Sequence, residues 1–163
     1  MIPEFVYDTR STKTANGTTG VYIANCMAGS GPALLLLHGF PQTHMMWAKI
    51  APELAKHFTV ICADLRGYGA SSKPYRTEQY SLRCMASDQL SLMSSLEFEQ
   101  FHIAGHDRGG RVAHRLALDA PLRTISLTIM DIVRTHHLLD QLKQSVAKYY
   151  YHWFFLAQPA PLP

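Results

Sequence analysis

The segment Gly105-His106-Asp107-Arg108-Gly109-Gly110 sets a carboxylate between glycines, where an apolar run ends and a helical pattern begins. Glycine two positions before and two after a central residue is the spacing of a nucleophile elbow. Side chains at those flanking positions would collide across so sharp a bend. The bend holds the central side chain out at the carboxyl end of a sheet, where open α/β folds bind ligands. With aspartate in that slot, the nucleophile is already ionised at neutral pH and attacks carbon without a base. An alkyl halide or an epoxide suits such a group. The product is an ester on the enzyme, and hydrolysing it needs a base for water and donors for the tetrahedral oxyanion. The alternative is a glycine-rich turn in which Asp107 caps the following helix.

Three other features bear on the same chemistry. His38-Gly39-Phe40-Pro41 follows an apolar run, and a turn of this type supplies a backbone N–H to an oxyanion hole together with the residue after the nucleophile. The donors would be the N–H groups of Phe40 and Arg108; a plain strand-end turn is the alternative. Asp131 ends the next apolar strand and is placed to orient a catalytic histidine, or to act as a cap or a surface acid. Arg108 and Arg111 fall on one face of the helix after the elbow. A cation at the positive end of a helix dipole is unfavourable, and burial adds desolvation unless an anion is present. Together they read as a clamp for a substrate carboxylate, with a salt bridge elsewhere or solvent exposure as the alternatives.

These groups need a rigid frame, and the pattern supplies one. Glu4 to Arg10 and Thr18 to Asn25 read as strands of a hairpin turning at Asn16-Gly17. Ala33 to Leu37, Phe58 to Ala63, Phe101 to Gly105 and Ile125 to Ile132 are apolar runs of the length and type of buried strands. Between them, His44 to Lys56, Ser81 to Leu96 and Arg111 to Ala120 carry helical spacing. Alternating strands and helices predict an α/β fold, a mostly parallel sheet with helices on both faces. From His136 to about Leu156 the spacing is helical again. Pro159, Pro161 and Pro163 then forbid its continuation.

Composition narrows the classes. The 163 residues include 15 basic and 12 acidic side chains, a net charge of +3, with 47% hydrophobic and 17% charged residues. That excludes a disordered chain and gives no nucleic-acid surface. The longest apolar run, Ala33 to Leu37, is far too short for a membrane span. Met1-Ile2-Pro3-Glu4 lacks the form of a signal peptide. Cys26, Cys62 and Cys84 show no CxxC spacing, and their odd number argues against a disulfide framework. They read as reduced thiols of a cytoplasmic chain. No metal or organic cofactor is implied.

His38-Gly39-Phe40-Pro41-Gln42, Asp64-Leu65-Arg66-Gly67-Tyr68-Gly69 and Gly105-His106-Asp107-Arg108-Gly109-Gly110-Arg111 together resemble the α/β-hydrolase superfamily, and within it the fluoroacetate (haloacetate) dehalogenases. Tyr151-His152-Trp153-Phe154-Phe155-Leu156-Ala157-Gln158-Pro159 resembles the start of that family's cap domain. The resemblance implies residues 1–135 as the N-terminal part of the hydrolase core and 136–163 as the start of an incomplete helical cap. It implies Asp107 as nucleophile, Asp131 as partner of a histidine base, and Arg108 and Arg111 as the carboxylate clamp. His152 and Trp153 would be N–H donors to the departing halide; without the family they read as an aromatic packing stripe.

The implied substrate is a small haloacid with water, and nucleic acid and membrane are excluded as partners. Family members are much longer and carry the histidine base beyond this sequence. We therefore expect a fragment that lacks turnover by itself, and a bare sheet edge at Ile125 to Ile132 that invites aggregation or a homodimer. An epoxide hydrolase is the competing enzyme reading; such enzymes usually carry tryptophan where Arg108 stands. A non-catalytic fragment is the third. Glu97 stands where the family usually places glycine, near a helix end. His106 precedes the nucleophile on its strand, so alternation turns its side chain away from Asp107.

Overall fold

A computed structural model describes residues 1–13, 19–133, 135–140, 144–156 and 158. The predicted turn at Asn16-Gly17 and the proline-rich end lie outside the described residues. Contacts divide the chain into two compact units, Met1–Ile132 and Val133–Pro163.

The first unit is built on one sheet of β1 (Val6–Lys13), β2 (Thr19–Ala28), β3 (Ala33–Leu37), β4 (Thr59–Ala63), β5 (Phe101–His106) and β6 (Thr124–Met130), in the order β1-β2-β4-β3-β5-β6. β1, β2 and β4 pair antiparallel, whereas β4, β3, β5 and β6 run parallel. The apolar runs form strands because they are covered on both faces. Along β3, Ala33, Leu35 and Leu37 join the core beneath the helices α2 (Leu82–Ser95) and α3 (Arg108–Asp119), which holds Met85, Leu92, Val112 and Leu116. Leu34 and Leu36 face the other way, toward Trp47, Ala51, Cys26 and Cys62. A single strand thus serves two cores through the two-residue period of its side chains.

Two elements depart from the sequence pattern. His44 to Lys56 is not one helix: a 3-10 turn at His44–Trp47 is followed by a short α1 (Ala51–Leu54). Pro52 opens α1 and has no N–H to carry the helix through from Trp47. The helix after the elbow starts at Arg108 rather than Arg111, so both arginines lie in its first turn. β6 forms the sheet's edge, with Ile125 and Ile129 exposed.

The second unit contains α4 (Thr135–Asp140), α5 (Gln144–Tyr149) and α6 (Tyr151–Leu156). The helical stretch is therefore divided. Tyr150 alone separates α5 from α6, and its N–H still bonds the Val146 carbonyl at 2.9 Å. The Tyr150 and Trp153 rings meet edge-on at 5.5 Å.

Candidate active site

The parallel strands β3, β4 and β5 end side by side, and the motif residues stand at those ends. Asp107 follows β5 with φ 47° and ψ −116°, a left-handed conformation that a non-glycine residue adopts only under constraint. The constraint is the close crossing of β5 and α3. A Cβ on Gly109 would lie 2.3 Å from the Leu37 carbonyl oxygen, and one on Gly105 would lie 2.4 Å from the Gly109 carbonyl oxygen. The Asp107 N–H is taken by the Met130 carbonyl at 3.0 Å. Backbone on both sides thus fixes the bend.

The Asp107 carboxylate does not cap α3. Its Oδ2 accepts instead the Phe40 N–H at 2.9 Å. Register explains the meeting: Leu37 of β3 pairs with Gly105 of β5, so the turn after β3 faces the elbow. His38 secures that turn. It is fully buried; its Nε2 accepts the Leu65 N–H at 3.0 Å, and its Nδ1 donates to the Gly39 carbonyl at 2.9 Å. Burial pushes its pKa below the ordinary value, as befits a neutral ring that accepts a backbone proton.

Arg108 and Arg111 occupy the first turn of α3, which holds no acidic residue. Arg111 is only 7% exposed. Asp131 follows β6 with φ 56°, and its exposed carboxylate lies 3.5 Å from His106 Nε2. His106 keeps the alternation of β5 and pairs in register with Met130. A Cβ on Gly39 would lie 2.8 Å from both His106 Nδ1 and Asp107 Cβ, so the two side chains border the same glycine. His152 and Trp153 lie on α6 in the second unit; Trp153 is half-buried, and the His152 side chain lies outside the described residues.

The sequence reading missed two groups. Tyr68 is half-buried beside the strand ends, and its ring meets His38 edge-on at 5.1 Å. Burial raises its pKa, Arg108 opposes that shift and Asp107 adds to it, so the phenol feels both charges of the elbow. The second is His44, whose Nδ1 and N–H both bond Asp64 Oδ1, at 2.8 and 2.7 Å. The Ala70 N–H completes the set on Oδ2 at 3.0 Å. Burial pushes the Asp64 pKa up, but these hydrogen bonds outweigh it and hold the carboxyl below its ordinary range. Asp64 thereby anchors the turn after β3 to the loop after β4. Tyr68 lay in a motif quoted for its resemblance and His44 only at the start of a helical pattern, and nothing in one-dimensional spacing marked either as a partner.

The arrangement presents a carboxylate with one oxygen fixed by a backbone donor, and two arginines in the helix turn that follows it. The family model described as alpha/beta hydrolase fold matches residues 32–156. The chain belongs to the α/β hydrolase fold family. Among α/β hydrolases, a fluoroacetate dehalogenase of Burkholderia sp is 57% identical over 143 residues, 85% of this chain and 47% of that protein. A soluble epoxide hydrolase of Corynebacterium sp. (strain C12) is 43% identical over 106 residues, 65% of this chain and 36% of that protein. The crystal structure of an α/β hydrolase from Nostoc sp PCC 7120 superposes with a TM-score of 0.91 at 51% identity, covering 100% of this chain and 55% of that one. The chain thus spans less than half the length of these curated relatives. Among the described residues, no group of histidine, cysteine and acidic side chains could hold a metal ion, and no helix is long and apolar enough to cross a membrane.

Proposed function

We propose that this chain carries the nucleophile and substrate clamp of a haloacid dehalogenase, acting on a haloacetate such as fluoroacetate. The observation that carries the reading is the Asp107 carboxylate, held by the Phe40 N–H instead of capping α3. Oδ2 occupies the donor, which leaves Oδ1 to attack. In the proposed step Oδ1 bonds the halogen-bearing carbon, the carbon–halogen bond breaks, and halide departs with the bonding pair. Arg108 and Arg111 hold the substrate carboxylate, a planar anion that two guanidinium groups match. His152 and Trp153 donate N–H bonds to the halide, which leaves only if donors replace its water.

Water then attacks the ester carbon of Asp107. Oδ2 takes the negative charge already facing the Phe40 N–H, with the Arg108 N–H as second donor. The leaving oxygen carries glycolate away, and Asp107 is restored. That water needs a base. Asp131 is the acid we assign to orient it, and within these 163 residues we assign no histidine to the role, so ester formation without turnover is the activity we ascribe to this chain alone. We read residues 1–135 as the N-terminal part of the hydrolase core and 136–163 as the beginning of a helical cap. We place the protein in the cytoplasm with a dissolved acid as substrate, and a homodimer formed through the β6 edge as an available assembly.

The likeness to a fluoroacetate dehalogenase supports the haloacid, and the likeness to epoxide hydrolases supports the second reading. Arg108 favours the first, since a neutral epoxide gives a guanidinium nothing to bind. Stoichiometric fluoroacetate, followed by fluoride release and the mass of the Asp107 peptide, tests this. An ester on Asp107 with one fluoride per chain is expected. An adduct with an epoxide but not with haloacetates would transfer the chain to the second reading, and no adduct with either would leave a non-catalytic fragment.

A further inference from the structure

Two of the three cysteines face each other across a strand pair that the proposed chemistry does not use. Cys26 on β2 and Cys62 on β4 are direct register partners in antiparallel pairing. The Asp64 N–H bonds the Ala24 carbonyl at 2.9 Å. Pairs alternate along such a ladder, so Cys26 and Cys62, two residues along, form a hydrogen-bonded pair as well. The Cα atoms of such a pair stand about 5.5 Å apart, within the span of a disulfide.

Both side chains point to the core face of Leu34, Leu36 and Trp47, and both are free and fully buried. The two thiols share a hydrogen bond, which together with burial pushes Cys62 up and favours Cys26 as the thiolate. The positive field of His44 and the Tyr7 hydroxyl also lower Cys26, while burial and the Asp64 carboxylate oppose them. Two thiols in direct register, one held below its ordinary pKa, are in place to join as a disulfide once an oxidant reaches them.

We propose that Cys26 and Cys62 form a redox-modification site, which a small peroxide converts to a disulfide joining β2 to β4. Cys26 thiolate attacks a peroxide oxygen, the O–O bond breaks, and water leaves after protonation, giving a sulfenic acid. Cys62 sulfur attacks the Cys26 sulfur, its proton goes to the departing hydroxyl, and a second water leaves. Two thiols and one hydrogen peroxide thus give one disulfide and two waters. The oxidant reaches the pair when the β1–β2 edge opens, since β1 is the outer strand of the sheet.

The test treats the 163-residue chain with hydrogen peroxide, then unfolds it in N-ethylmaleimide and counts alkylated cysteines by mass. The count is expected to fall from three toward one, with a peptide linking Cys26 to Cys62, and to return to three after dithiothreitol. A Cys84→Ser chain should yield the same linked peptide and lose all alkylation, which separates the pair from intermolecular bridges through Cys84. Cys26 and Cys62 remaining alkylated, or appearing as sulfinic or sulfonic acids with no linked peptide, would overturn the proposal and leave two small apolar core residues.

Discussion

The Phe40 N–H and the Asp107 Oδ2 are joined at 2.9 Å across the ends of β3 and β5. In the proposed mechanism the donor that holds the resting carboxylate also faces the charge that would form on the same oxygen during ester hydrolysis. An oxyanion contact that exists before the reaction needs no reorganisation during it. The relationship also explains Gly39, which leaves the space through which Phe40 reaches the carboxylate.

Gly39→Ala tests that space. The added Cβ would lie 2.8 Å from Asp107 Cβ and from His106 Nδ1, and 3.1 Å from Asp107 Oδ2. Relief requires moving the carboxylate, and a misplacement on the order of 1 Å costs about a hundredfold in rate. We expect single-turnover fluoride release to fall by about that factor, with the far-ultraviolet circular dichroism unchanged. Unchanged release would mean that the position of Oδ2 does not govern attack.

Asp107→Asn removes the nucleophile at nearly constant shape. The amide keeps an oxygen for the Phe40 N–H, so the bend at φ 47° should persist. Adduct formation with every haloacetate should vanish, because a neutral amide does not displace halide. Mass spectrometry of the peptide containing position 107 checks this; an adduct elsewhere in the chain would show that another group attacks.

Arg108→Gln separates the two enzyme readings. The side chain stands in the first turn of α3, next to Asp107. A charged hydrogen bond to carboxylate contributes about 1.5–3 kcal/mol, and its loss corresponds to roughly ten- to a hundredfold. Haloacetate consumption should weaken by that factor at subsaturating substrate, while a neutral alkyl halide of similar size reacts as before or faster. An equal loss for both substrates would assign Arg108 to structure rather than to recognition.

Much of this site was legible in the residues. The elbow could be read because Gly105 is demanded by the backbone of Gly109, close in sequence, and Ala33–Leu37 could be read because a strand buried on both faces has no polar position; that Gly109 is demanded by Leu37 and His38 could not. Tyr68 and His44 could not, since their partners His38 and Asp64 meet them only through the sheet order β4-β3-β5. The long helix expected over His44 to Lys56 failed because apolar spacing does not register the missing N–H of Pro52.

The buried His38 and the half-buried His44 predict an optimum in stability near pH 6.5, the ordinary value for both. His44 is raised above that value by its bond to Asp64. Its contribution is complete below the unfolded value and is lost as pH rises through the folded one. His38 is lowered by burial, with Asp64 and His44 as the charged groups facing it. Its contribution is present above the unfolded value and is lost as pH falls through the folded one. Melting temperature should therefore decline on both sides of the optimum. His44→Gln should flatten the alkaline decline alone, and loss of the acid decline in that variant would contradict the assignment.

Glu97 ends α2 at a conformation that suits glycine. Its φ is 65°, the Phe98 N–H bonds the Met93 carbonyl at 2.9 Å, and the Glu97 N–H bonds the Ser94 carbonyl at 3.0 Å. These are the two bonds of a Schellman motif, with Glu97 at the left-handed position. An L-residue with a Cβ costs about 1–2 kcal/mol there, and glycine returns roughly 0.5–1 kcal/mol of that through its greater freedom when unfolded. Glu97→Gly should then stabilise the chain by about 0.5–1 kcal/mol, a rise of roughly 2–4 °C at most in melting temperature for a chain of this size. Glu97→Ala keeps the Cβ and should show no such gain. Equal gains for both variants would trace the effect to the removed charge instead of to the backbone.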